Sequence, residues 1–180
     1  MRTTILVLAA SLTALWAQEV KLPASLEKLA DVAEESVSVT LDGNMLKLLS
    51  RFDKGVDDAA TKKLVAGLES VYVRSFQFGS AHEYRQEDVE ALRAQFQPPT
   101  WSRIVGVRQK YNGDDVDVYF KDGGNGKLAG IVVIYTQPRE LTFVSVVGTI
   151  APEQLADLGG QFHIPRLEMA IGGGRRKEWK

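Results

Sequence analysis

The chain has no cysteine and only two histidines. Without cysteine there is no disulfide, no thiol nucleophile, no iron–sulfur cluster, no cysteine zinc site and no lipidated cysteine to hold the protein on a membrane. The histidines are His82, beside Glu83, and His163. They show no His-Glu-x-x-His or His-x-His spacing, and no Gly-x-Ser-x-Gly elbow presents a nucleophile. An excess of one charge is missing too, since 22 basic residues against 23 acidic leave a net charge of −1. That balance provides no field to hold a polyanion, so nucleic acid is not an expected partner. After the first residues, no stretch approaches the roughly 20 apolar residues that a membrane span needs.

What is present describes one ordinary core and a leader. At 180 residues with 44% hydrophobic residues, the chain suits a single domain. Residues 1–17 carry Arg2, then an uncharged apolar run from Ile5 to Trp16, and end at the small Ala17. This pattern predicts a removable secretory signal peptide, and hence a protein exported to the periplasm or beyond, with no transmembrane segment in the mature chain. Residues 18–160 then form the domain. Residues 161–180, with Gly172-Gly173-Gly174 and the basic Arg175-Arg176-Lys177, read as a partly mobile tail.

The framework of the domain is a series of strands near its end. Val116-Asp117-Val118-Tyr119-Phe120-Lys121 alternates apolar and polar residues, residues 128–135 are apolar at nearly every position, and residues 141–147 are β-branched and aromatic. Short turns separate them, and Asn112-Gly113 joins a further strand over 101–110 to the first, predicting a four-strand antiparallel meander. Upstream, helical spacing predicts a helix with Leu22, Leu26 and Leu29, one from Met45 to Phe52, one over 57–70 and one carrying Val89, Leu92 and Phe96 as far as Pro98-Pro99. Strands are expected at 36–41 and 71–78, and a short helix at 151–159. The sum is an α+β fold, a two-layer sandwich with helices on one face of a mainly antiparallel sheet, ferredoxin-like or related.

Each candidate for chemistry has a plainer reading. Gly123-Gly124-Asn125-Gly126-Lys127 lacks P-loop spacing and joins two strands, so a hairpin turn is expected. Asp114, Asp115 and Asp117 do not match a calcium loop and read as a solvated hairpin end, with Asp115 and Asp117 on one strand face. Asp57 serves as a helix cap, with Asp53 and Asp58 nearby, and the Met and Leu stripe from Met45 to Phe52 reads as core. No catalytic, metal or cofactor residue is assigned, and no cofactor is expected. Tyr72, Arg74 and Arg103 remain as candidate partner contacts, while Trp101 is expected in the core.

Several dispersed patches carry a family likeness. Leu26-Glu27-Lys28-Leu29-Ala30 leading into Ser38-Val39-Thr40-Leu41-Asp42-Gly43, Val71-Tyr72-Val73-Arg74-Ser75-Phe76, residues 101–108 and Val146-Val147-Gly148-Thr149-Ile150 resemble the exported bacterial family filed as domain of unknown function 4252. The resemblance implies a bacterial, Sec-exported protein and carries over no catalytic residue. The function expected is a non-enzymatic protein-binding or regulatory module of the cell envelope, acting through a protein partner at an exposed sheet edge. The alternatives are a hydrolase using His82-Glu83 or the Asp114, Asp115, Asp117 group, and a small-ligand or ion carrier.

Overall fold

A computed structural model describes residues 20, 22–52, 59–81, 83–111 and 113–151. His82, His163, Asn112, the leader, the tail, the group Asp53, Asp57 and Asp58, and all but the first residue of the helix expected over 151–159 lie outside them. Among the described residues there are six strands: β1 Glu35–Asp42, β2 Leu68–Gln77, β3 Trp101–Arg108, β4 Asp115–Asp122, β5 Leu128–Gln137 and β6 Glu140–Ile150. They form one antiparallel sheet in the order β1-β2-β6-β5-β4-β3. The expected meander is β3 through β6. The last strand returns to lie between β5 and β2, which joins the meander to the β1–β2 pair.

The helices are α1 Ala24–Glu27, running into a 3-10 turn at Lys28–Asp31, α2 Gly43–Phe52, α3 Ala59–Gly67 and α4 Gln86–Arg93. Asp42 starts α2, its Oδ1 accepting hydrogen bonds from the backbone N–H of Asn44 and Met45, each at 2.8 Å. The connection from α3 into β2 runs tightly over β6. A Cβ on Gly148 would meet the Gly67 carbonyl oxygen and lie 2.7 Å from the Leu68 Cα, and Gly148 has a φ of 150°. Opposite that crossing, β2 carries a bulge between Leu68 and Ser70.

Strand alternation sorts the core into two layers. On one face, Phe76, Tyr119, Val132, Ile134, Leu141 and Phe143 of the sheet pack with Leu22, Leu26, Leu29, Val89, Leu92 and Phe96. On the other, Val71, Val116, Val118, Ile131, Val133 and Val146 pack with Leu46 of α2, and Val65 of α3 lies against them. Helices therefore contribute to both faces, because β5 and β6 are apolar on both and each side must be covered. From β1 onward the element order β-α-α-β-α-β-β-β-β also differs from the βαββαβ order of a ferredoxin-like unit. On the second face a row of valines crosses all six strands in register: Val39, Val73, Val144, Val133, Val118 and Val105.

The stripe on α2 is not all core. Leu46 is buried, but Met45 and Leu48 are 46% and 45% exposed, since at about 100° per residue they turn away from the sheet once Leu46 faces it.

Candidate functional site

The three candidate contact residues fall into two places. Tyr72 and Arg74 alternate on one face of β2 and meet there, with the Arg74 guanidinium 4.4 Å from the Tyr72 ring centroid. The Tyr72 ring sits edge-on to Phe143 at 6.0 Å, and Arg74 Nη1 donates to the Val73 carbonyl oxygen at 3.1 Å. Both side chains are half-buried. Their cross-strand partners on β1 are the small Thr40 and Ser38. Arg103 is at the opposite edge of the sheet, on β3. Trp101 is core, as expected, packed edge-on against Phe96 at 5.3 Å.

Beside β3 stands a group that the sequence did not announce. Asp117 on β4 is fully buried, although a solvated hairpin end was expected there. The reason is placement: β4 is an interior strand, and the face that carries Asp117 lies under α4. Arg93 of α4, itself buried, donates from Nε to Asp117 Oδ2 at 2.7 Å and from Nη1 to Glu90 at 2.6 Å. Arg108 donates from Nη2 to both Asp117 oxygens, at 3.1 and 2.9 Å, and its Nε lies 3.3 Å from Asp115. Arg103 completes the set with Nη1 at 3.3 Å from Asp117 Oδ1. Its path crosses Gly106, which pairs directly with Asp117; a Cβ there would stand 3.1 Å from the Arg103 Cζ.

Asp115 and Asp117 share a face, as the alternation requires, and meet the same arginines. Asp114 is buried separately and accepts from Gln137 Nε2 at 3.1 Å. Three guanidiniums thus face the carboxylates of Asp117, Asp115 and Glu90, so the charges balance within the group. The buried donor there with no hydrogen-bond partner is Arg93 Nη2, 3.6 Å from Asp115 Oδ2. Burial pulls the Arg108 guanidinium down, but the hydrogen bond and charge of Asp117, then Asp115 and Glu90, outweigh it and the net shift is upward. Such a balanced set ties α4 to β3 and β4. Its charges also reach the phenols of Tyr119 and Tyr84, both of which burial pushes above their ordinary value.

The glycine loop is a turn between β4 and β5. Gly123 N–H donates to Lys127 O and Lys127 N–H to Gly124 O, each at 3.0 Å, and Asp122 accepts from Gly124 N–H at 2.8 Å. Gly124, Asn125 and Gly126 all have positive φ, as a reversal of this kind demands. Among the described residues no group of three or more histidine, aspartate or glutamate side chains is placed to hold a metal ion. No helix among them is long and apolar enough to cross a membrane.

The two sheet edges differ. β3 is interrupted by a bulge between Arg103 and Val105, and Ile104 at that point is 57% exposed. β1 pairs with β2 without interruption from Glu35↔Gln77 to Asp42↔Ser70, and its other side has no strand partner among the described residues. No solved structure and no curated protein matches the chain. A family model does match, over residues 31–158, a span that takes in all six strands with both edges and the Asp117 group. The chain accordingly belongs to the family described as Domain of unknown function (DUF4252).

Proposed function

We propose that this is an exported protein of the cell envelope, a non-enzymatic module that binds a protein partner by adding one of the partner's strands to β1. The observation that carries the reading is the contrast between the edges. A bulge is a common device for preventing strand addition, and β3 has one. β1 has eight residues in unbroken register, no proline, no lysine, and charges only at its ends, Glu35 and Asp42. Its free N–H and C=O groups form a template, and Val37, Val39 and Leu41 on one side with Ser36, Ser38 and Thr40 on the other provide alternating contacts for a partner's side chains. The acidic ends favour a partner strand with basic flanks, and a net charge of −1 favours a protein over a nucleic acid.

The test is crosslinking in intact cells, followed by affinity capture of the tagged protein from the envelope fraction, for the wild type and Val37→Lys. Val37 is 41% exposed on β1, so lysine is accommodated while it obstructs pairing. A roughly stoichiometric partner that is lost with the lysine variant supports the reading. Recovery of background proteins alone, or a partner indifferent to the variant, would sink it.

A further inference from the structure

An open pocket of about 310 Å³ lies where α1 meets the β1–β2 pair. Glu27 and Ala30 line it from the helical side, Ser36 and Ser38 from β1, and Arg74 and Phe76 from β2. Ser38 and Ser36 are the cross-strand partners of Arg74 and Phe76, so these four side chains share one face of the sheet, with Phe76 buried and the Arg74 guanidinium over Tyr72. Arg74 is stacked on Tyr72 and held by a single bond to the Val73 carbonyl. Its Nε and Nη2 have no hydrogen-bond partner among the described residues, and neither do the hydroxyls of Ser36 and Ser38. Glu27, on the same pocket, has no ion pair among the described residues either.

An arginine and a glutamate therefore line one small pocket without forming an ion pair with each other or with another described residue, which contrasts with the charge-balanced group around Asp117. We propose that this pocket binds a zwitterion of amino-acid type, whose carboxylate meets Arg74 and the two serine hydroxyls and whose ammonium meets Glu27. The planar guanidinium fork matches a carboxylate, and stacking on Tyr72 holds it in place before the ligand arrives. The Glu27 carboxylate repels a dianion such as phosphate and rewards a cation at the same site. The volume stands at the lower end of the roughly 300–1,000 Å³ usual for small-molecule sites, which suits an amino acid or a dipeptide. The site does not depend on strand addition at β1, and either proposal stands if the other fails.

The test is a nitrogen-15 NMR titration of the protein with four probes: L-alanine, L-alanyl-L-alanine, N-acetyl-L-alanine, which is only an anion, and L-alaninamide, which is only a cation. Saturable shifts at the Ser36 and Ser38 amides and the Arg74 Nε are expected with a zwitterion and, for loss of one charge-assisted bond, about tenfold weaker with either singly charged probe. Whichever zwitterion binds more tightly identifies the source, a free amino acid or a peptide. Arg74→Gln and Glu27→Gln are each expected to weaken binding by about tenfold. Glu27 is exposed, so its variant keeps the fold even where Arg74→Gln does not. Absence of saturable shifts with both zwitterions, equal response to a singly charged probe, or undiminished binding by Glu27→Gln overturns the proposal.

Discussion

Asp117 is buried from water, and three guanidiniums take the place of solvent around its carboxylate. Removing it leaves Arg93 buried with no carboxylate at its Nε, and breaking a buried pair from one side costs about 3–5 kcal/mol. Asp117→Ala should lower the unfolding free energy in urea by that amount, whereas Arg103→Gln, at a side chain 54% exposed, should cost less than about 1 kcal/mol. The buried tyrosines act on stability in the alkaline range. Burial raises the phenols of Tyr84 and Tyr119 above their ordinary value. Above about pH 10 the unfolded chain releases these protons while the fold retains them, so stability present below that pH falls as pH rises, until the folded groups ionise too. Melting temperatures measured across that range should fall less steeply in the Tyr84→Phe and Tyr119→Phe variants than in the wild type. The burial of Asp117 was only half legible from the chain. Alternation put it on the face of Tyr119, a core residue, but the arginines that neutralise it come from 24 and 14 residues upstream and from nine residues away on β3, with no local signal joining them.

Among the elements, those bounded by strong turn residues were readable in advance. Gly123 to Lys127 and Pro138 mark the ends of β4 and β5, and either Asp42 or Asn44 could be read as the cap of α2, the structure using Asp42, because turns and caps depend on nearby residues. The division of helices between the faces and the turned-out Met45 and Leu48 were not readable, since each depends on which side of a distant strand remains uncovered. The crossing of α3 and β2 over β6 belongs to the same class. There Gly148→Ala should destabilise the protein by about 1–3 kcal/mol, seen as a lower urea midpoint at unchanged slope, because the new methyl group meets the backbone of Gly67 and Leu68.

For the whole molecule, the sheet order assigns a different exposure to each strand. β5 and β6 are paired on both sides and apolar on both faces, while β1 and β3 have one side open among the described residues. In native-state hydrogen exchange, the amides of β5 and β6 should be the slowest, and the outward amides of β1 should exchange near the rate of an unstructured chain. Binding of a strand to β1 would slow the outward set alone. The return of β6 between β2 and β5 also governs the order of events during synthesis. Among the described residues the β1–β2 pair and the β3–β5 meander share no strand pairing until residues 140–150 arrive, and the register Leu68↔Gly148 joins positions far apart in the chain. A sheet completed by β6 cannot close before residues 140–150 have been made, and folding that waits for such distant contacts is slow. The nascent protein therefore stays open until β6 has emerged, a delay that would serve the export proposed above, since a chain that crosses a translocation pore must do so unfolded.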